Sequence, residues 1–186
     1  MAGARVLTLP GWQNSGPDHW QSLWERQFGY QRVEQHDWMH PLRGDWIARL
    51  DEVLIEQPPG AAIYLVAHSL GCMQVAAWAG HSRHTQRVHG AMLVAPGDVE
   101  RADLRPLLSS WAPIPERRLP FPSLLVGSRN DPYCSFGRAQ HFASAWGSTL
   151  VDLGHRGHVN AVSGLGDWPQ GQVLLQDLMH SSTQES

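Results

Sequence analysis

The chain has 186 residues, of which 42% are hydrophobic and 17% charged, so we expect one folded domain spanning residues 1–186. The net charge is −3 and there is no basic cluster, which argues against a nucleic-acid partner. We find no apolar stretch long enough for a membrane span and no signal-peptide pattern. Cys72 and Cys134 are the only cysteines, too few for a disulfide framework, so we expect a cytoplasmic protein.

Short apolar runs alternate with helical patterns along the chain. We predict strands at Arg5–Leu9, Gln31–Gln35, Ile63–Val66, Ala91–Ala95, Ser123–Val126 and Leu150–Leu153. We predict helices from Pro17 to Gly29, over Asp45–Ile55, from Leu70 onward, over Phe136–Trp146 and over Gln172–Met179. This alternation predicts an α/β fold in which a mostly parallel sheet of about six strands carries helices on both faces.

The least regular stretch is Asp98–Pro120, which contains four prolines and follows the end of the fourth predicted strand. Ligand sites in open α/β sheets form outside the carboxyl ends of the strands. The stretch therefore either overhangs such a site, where it would have the position of a lid, or serves as a plain connector.

A strand and a helix meet at the stretch from Ala67 to Gly71. The buried strand ends and the helix begins within about two residues, with Ser69 at the corner. This is the context of a nucleophile elbow, a sharp turn that exposes a serine hydroxyl above the sheet. Small residues are needed two positions to either side, and Ala67 and Gly71 meet that need. The alternative is that Ser69 is an ordinary helix N-cap.

Two further polar residues follow the ends of later strands. Asp131 follows the fifth predicted strand and His158 follows the sixth, so Ser69, Asp131 and His158 occur in the order typical of α/β-hydrolase triads. A serine hydroxyl needs a neighbouring base to remove its proton, and His158 would be that base. Asp131 would hold the imidazole in the required tautomer.

A tetrahedral oxyanion needs two preorganised donors. The backbone N–H of Leu70, at the start of the elbow helix, is one candidate. The loop after the first strand would supply the second, from Trp12 or alternatively from Gln13. Gln13, Trp20 and Trp111 are candidate walls of the substrate pocket, and packing alone is the alternative role for the tryptophans.

Other residues compete for these roles. His155 is an alternative base, and Asp98 and Asp152 are alternative acids. The spacing of Asp152, His155 and His158 also resembles a set of metal ligands, but no further cysteine or acidic cluster supports it. We therefore expect neither a metal nor a cofactor. His68, next to the elbow serine, is expected to orient the turn.

Four stretches together carry a family resemblance: PGWQNSGPDHW from Pro10, HSLG from His68, SRNDPYCS from Ser128 and GHVNAVSGLGDW from Gly157. With them the chain resembles the small bacterial α/β-hydrolases of the retinoblastoma-binding-protein-9/YdeN-like serine hydrolase family. The resemblance implies an α/β-hydrolase-like three-layer sandwich of strand order 2-1-3-4-5-6 without a large cap domain. It also implies the same triad.

These observations predict a serine hydrolase that cleaves small carboxylic esters or thioesters through an acyl-enzyme. The partner would then be a small-molecule substrate, with neither nucleic acid nor membrane. Two alternatives stay open. One is a binding or regulatory protein on a hydrolase scaffold with little turnover. The other is amide or peptide hydrolysis by the same triad, and the oligomeric state is open as well.

Overall fold

Six strands and five α-helices make up the chain in the computed structural model, which describes residues 3–184. The strands are β1 Arg5–Leu9, β2 Gln31–Arg32, β3 Ile63–His68, β4 Val88–Val94, β5 Ser123–Gly127 and β6 Thr149–Asp152. The helices are α1 Trp20–Phe28, α2 Arg43–Glu56, α3 Leu70–Ala79, α4 Phe136–Trp146 and α5 Pro169–Gln184. Single 3-10 turns lie at Thr85–Arg87, Ser109–Trp111 and Ala161–Ser163.

The six strands form one sheet in the order β2-β1-β3-β4-β5-β6, and every neighbouring pair is parallel. Parallel neighbours need crossover connections, which the intervening helices and the long connection after β4 provide. The predicted fold class and strand order are therefore confirmed.

Helices cover both faces of the sheet and bury two hydrophobic cores. Helices α2, α3 and α4 pack on one face, and α1 and α5 pack on the other. Side chains of β3 alternate between the cores, with Leu65 and Ala67 on the first face and Tyr64 and Val66 on the second. Because both faces are covered, this strand has a continuous apolar sequence.

The register aligns the carboxyl ends of the strands at one edge. Leu9 at the end of β1 pairs with Ala67, and His68 at the end of β3 pairs with Val94. Gly127 at the end of β5 lies opposite the last residue of β6. The loops that leave these strands therefore emerge side by side, as a shared ligand site requires.

Some predicted boundaries were wrong because neighbouring elements decided them. Helix α1 begins at Trp20 rather than Pro17, since the His19 side chain accepts a hydrogen bond from the N–H of Gln21 and caps the helix there. Strand β2 ends at Arg32, being an edge strand with only two paired residues. Helix α5 extends in both directions and starts with Pro169, a residue favoured at the first helical position.

Strand β1 has its predicted bounds, and strands β3 to β6 differ from prediction by one to three residues at their ends. Within residues 3–184, the helices do not combine the length and the apolar character that crossing a membrane would need.

Candidate active site

Ser69 occupies the sharp turn between β3 and α3, with backbone angles of φ 54° and ψ −117°. A positive φ is strained for a residue with a side chain, so the surrounding structure has to hold it. The turn brings α3 so close to β1 that a Cβ on Gly71 would lie only 2.2 Å from the carbonyl oxygen of Leu9. Glycine is therefore required two residues after the serine.

The hydroxyl of Ser69 points away from the helix that it precedes. It makes no capping hydrogen bond to the described residues of α3, so the alternative role as an ordinary N-cap is wrong. Its Oγ lies 2.9 Å from Nε2 of His158 instead, a residue 89 positions further along the chain. The contact follows from the alignment of the strand ends.

His158 connects the serine to a carboxylate. Its Nδ1 lies 2.9 Å from both carboxylate oxygens of Asp131. The backbone N–H of Tyr133 also donates to this carboxylate, at 2.8 Å. The side chains of His158 and Asp131 are only 9% and 2% exposed. Since the carboxylate accepts the proton on Nδ1, the lone pair of Nε2 is directed to the serine hydroxyl.

The competing acids and the competing base lie elsewhere. Asp98 accepts a hydrogen bond of 2.9 Å from Arg138, and Asp152 accepts one of 2.8 Å from Arg129. His155 is exposed and lines a neighbouring groove. Among the described residues, no group of three or more His, Cys, Asp or Glu side chains is arranged to hold a metal ion. The structure thus brings the three predicted triad residues together and keeps the alternatives apart from them.

The loop after β1 lies directly against the elbow. A Cβ on Gly11 would be 3.2 Å from the backbone nitrogen of Leu70, so glycine permits this approach. The N–H of Gln13 donates to the carbonyl oxygen of Trp38 at 3.0 Å and is already engaged. Within the described part of the chain, the N–H groups of Trp12 and Leu70 have no backbone acceptor. Of the three candidate donors, these two therefore remain open for the predicted role, which stays a prediction.

A cavity of about 330 Å³ opens above the serine. Trp12 and Gln13 line it, as does Gly97, whose missing Cβ would lie 3.3 Å from Oγ of Ser69. Glycine at this position keeps the path to the hydroxyl open.

Two predicted pocket walls are wrong. Trp20 is 1% exposed and its indole N–H donates to the carbonyl oxygen of Val159, so it lies beneath the site. Trp111 is also 1% exposed and donates to the carbonyl oxygen of Pro41. In the core, a large indole buries its apolar surface while its N–H donates to one backbone oxygen. The same side chain also suits a pocket wall, so the packing around it decides where it lies.

The irregular segment after β4 overhangs the site with its first part. Val99, Leu104 and Leu108 line the cavity. The buried carboxylate of Asp98 fixes the start of the segment to α4 through two hydrogen bonds from Arg138. Its position over the cavity is therefore anchored by an ion pair whose carboxylate is largely removed from water.

His68, which was expected to orient the turn, also contacts the main chain of His158. Its Nε2–H donates to the carbonyl oxygen of His158 at 2.8 Å. Burial lowers the pKa of His68 well below its usual value, and the neighbouring His19 and His158 add to this. The side chain is therefore neutral, with its proton on the nitrogen that donates.

Several cavity residues were not found from the sequence. The ring of Tyr133 packs 4.7 Å from that of His158, and its position two residues after Asp131 was the available signal. His19 and Asn160 also line the cavity. Both lie within stretches that carry the family resemblance, but neither was assigned a role there.

The fold agrees with the comparisons with known proteins. The serine hydrolase family model matches residues 6–177 of the chain. Comparison with curated proteins gives no significant match.

Solved structures show the same similarity. A protein described as a YdeN-like hydrolase from Pectobacterium atrosepticum is 31% identical, with a TM-score of 0.82 over 97% of this chain and 92% of that chain. The ydeN gene product of B. subtilis is 19% identical, with a TM-score of 0.77 over 95% and 99% of the two chains. Est1E from Butyrivibrio proteoclasticus, solved with ferulic acid, shares the fold at 11% identity, with a TM-score of 0.68 over 93% and 88%. The chain has an α/β-hydrolase fold and belongs to the serine hydrolase family.

Proposed function

We propose that this hydrolase cleaves small carboxylic esters or thioesters through a covalent acyl-enzyme. The observation that carries the proposal is the continuous chain of hydrogen bonds from Asp131 through His158 to Ser69, in which each contact is 2.9 Å long. A serine in this arrangement loses its proton to the imidazole as it attacks, which makes it a usable nucleophile.

Acylation begins when Oγ of Ser69 attacks the substrate carbonyl carbon while Nε2 of His158 accepts the hydroxyl proton. Asp131 stabilises the imidazolium that forms. The negative charge on the carbonyl oxygen is met by the N–H groups of Trp12 and Leu70, each contributing about 3 kcal/mol in comparable sites. The tetrahedral intermediate then collapses, and His158 returns the proton to the departing alcohol or thiol.

Deacylation repeats these steps with water. His158 removes a proton from a water molecule as its oxygen attacks the acyl carbon, and the carboxylic acid leaves when Oγ of Ser69 recovers the proton. All four proton transfers of the cycle pass through Nε2 of His158, so one base serves both halves of the reaction.

The size of the cavity supports a small-molecule substrate. At about 330 Å³ it is at the lower end of the range of about 300–1,000 Å³ typical of ligand pockets. We also propose that the protein acts in the cytoplasm as one domain. Its two cysteines are free and buried, as is usual in a reducing compartment.

Labelling with a fluorophosphonate tests the proposal, because this probe reacts with activated serines. We expect one adduct per chain by intact mass, mapped to Ser69 and absent in Ser69→Ala and His158→Ala. Hydrolysis of p-nitrophenyl acetate should disappear in the same two variants. Circular dichroism of each variant shows that the fold is retained.

Folded wild-type protein that forms no adduct and turns over no ester would contradict the proposal and favour a binding protein on this scaffold. Labelling at Ser69 together with hydrolysis of an anilide panel but no ester panel would replace ester cleavage with amide cleavage.

A further inference from the structure

The neighbouring groove adjoins the cavity above Ser69. It has a volume of about 510 Å³ and is lined by residues of the loops that follow β5 and β6. Tyr133, His158 and Asn160 line both the groove and the cavity, so the two spaces meet at these residues. The catalytic base thus lies at the boundary between them.

The chemistry of ester cleavage gives the two spaces different parts to hold. Nε2 of His158, 2.9 Å from Oγ of Ser69, returns a proton to the departing alcohol or thiol. The leaving atom therefore has to lie within hydrogen-bond reach of this nitrogen. Apolar side chains of the segment after β4, Leu104 and Leu108 among them, line the cavity and suit an acyl chain. A substrate whose acyl part occupies the cavity therefore directs its leaving group past His158, towards the groove.

The cavity and the groove differ in charge. No described residue that lines the cavity is an Asp, Glu, Lys or Arg. Among the described residues that line the groove, Arg156 is the only one of these four types. The acidic side chains at the ends of β5 and β6 are engaged elsewhere. Asp131 binds His158 and is 2% exposed, and Asp152 accepts a hydrogen bond of 2.8 Å from Arg129. The groove therefore has a positive charge that its own walls do not neutralise.

Arg156 is fixed through its main chain and free in its side chain. Its N–H donates to Oγ of Ser128 at 2.9 Å, and its carbonyl oxygen accepts from the N–H of Val159 at 3.2 Å. The residue is exposed, and its guanidinium has no hydrogen-bond or ion-pair partner among the described residues. Unpaired arginines also occur elsewhere on this surface, so the position of Arg156 beside the catalytic base is what distinguishes it.

The groove also exposes apolar surface near this cation. Val162 is 92% exposed and Tyr133 is 43% exposed, and both line the groove. Covering such side chains removes apolar area from water and so favours binding. A cation next to exposed apolar side chains fits an organic anion, whose carbon skeleton covers the apolar side chains while its acid group meets the guanidinium.

We propose that the substrates carry a carboxylate or phosphate group in their alcohol or thiol part, and that Arg156 binds this group in the neighbouring groove. The inference rests on the proposed hydrolase function and adds a substrate class to it. A guanidinium has a planar fork of N–H donors that matches the oxygens of either anion. The acyl part is uncharged, because the cavity offers no described cationic side chain to pair with a charge there.

The test measures kcat/KM by pH-stat at low salt and pH 7.5 for butyrate esters of related phenols. The neutral reference is 4-carbamoylphenyl butyrate. The 4-carboxyphenyl and 4-phosphonooxyphenyl esters carry the two anions in the leaving group and distinguish carboxylate from phosphate. A further pair, ethyl butyrate and monoethyl succinate, places a carboxylate in the acyl part instead.

The variant Arg156→Gln removes the charge and keeps much of the side-chain length. We expect it to lower the preference for one or both anionic phenyl esters over the neutral one by about fivefold, as for an interaction between solvent-exposed charges. The preference between monoethyl succinate and ethyl butyrate should stay as in the wild type. Because each ratio is compared between proteins, the intrinsic reactivity of the esters cancels.

Arg83→Gln is the matched control. Arg83 is also exposed and lines neither the cavity nor the groove. It precedes β4 and so lies towards the edge of the sheet opposite the strand ends that carry the site. This variant should keep the wild-type preference. Arg156→Glu reverses the charge and should lower the preference for the anionic esters further than Arg156→Gln does, and circular dichroism shows that each variant is folded.

Equal preferences for both anionic phenyl esters in the wild type, Arg156→Gln and Arg156→Glu overturn the inference. If esters are hydrolysed and Ser69 is labelled by a fluorophosphonate in the same preparations, the proposed function stands. A loss confined to monoethyl succinate would place the anion in the acyl part and also overturn the inference. Folded wild-type protein with neither turnover nor label overturns both.

Discussion

The side chain of His68 holds the backbone of His158 through a hydrogen bond of 2.8 Å from Nε2–H to the carbonyl oxygen. The residue before the nucleophile thereby positions the base. The base needs such support, because Gly157 and Val159 on either side of it both have positive φ, 57° and 50°. Asp131 orients the ring of His158 and His68 fixes its main chain, so the imidazole is constrained from two directions.

Removal of the His68 donor should slow turnover. His68→Ala would leave the carbonyl of His158 buried and unpaired, which costs about 1–3 kcal/mol of the free energy that holds His158 in place. We therefore expect this variant to lower kcat by about tenfold or more. His68→Gln can place an amide donor near the same point and should recover much of the loss. Steady-state kinetics on one ester, with thermal midpoints for both variants, makes the comparison. Equal kcat for the two variants would contradict a positioning role.

Replacement of the triad carboxylate should affect chemistry more than binding. An asparagine side chain in place of Asp131 cannot accept the proton of Nδ1 as a carboxylate does, so the wrong imidazole tautomer is favoured. We expect Asp131→Asn to lower kcat by about 10⁴-fold, as the same change of the triad aspartate does in a serine protease. Asp152→Asn is the matched control, since it loses only an exposed ion pair with Arg129. Similar losses in both variants, measured by ester hydrolysis, would count against the assignment.

The close approach of α3 to β1 predicts intolerance to a single methyl group. A Cβ at position 71 would meet the carbonyl oxygen of Leu9 at 2.2 Å, so Gly71→Ala should lower the free energy of unfolding by about 3 kcal/mol or prevent folding. Gly44→Ala, in α2 with open space around it, should instead stabilise by up to about 1 kcal/mol. Urea unfolding of both variants measures this, and equal effects would be the contrary result.

Acid should destabilise the fold in part through the buried side chain of His19. The pKa of His19 is about 3 in the folded chain and 6.5 ordinarily, so below pH 6.5 the unfolded chain takes up a proton that the folded chain does not. The free energy of unfolding therefore falls as pH falls from about 6 to about 4, by about 1.4 kcal/mol per pH unit for this residue. Urea unfolding across this range should give a shallower slope for His19→Asn. Identical slopes would show that His19 is protonated in the folded state.

Local signals allowed several elements to be predicted closely. The predicted bounds of helix α4 are confirmed, and the structure shows that Ser135 caps its start and that Gly147 ends it in the left-handed conformation. The start of α1 was missed because Pro17 is also favoured in a first turn, whereas the cap that forms uses a histidine side chain. Trp20 and Trp111 were misplaced because an indole suits a core and a pocket wall equally well.

The sequence by itself determined the alternating α/β pattern, the elbow turn and the candidates at the strand ends, because each depends on residues close together in the chain. The tertiary structure decided which acid and which histidine meet Ser69, since contacts across 89 positions arise only when the sheet aligns its strand ends. Among the cavity walls, Gln13 was a candidate from the sequence, but most of the others were decided by the tertiary structure alone. Val99, Leu104, His19 and Asn160 come from loops without periodicity, and a loop takes its path from the surfaces it packs against.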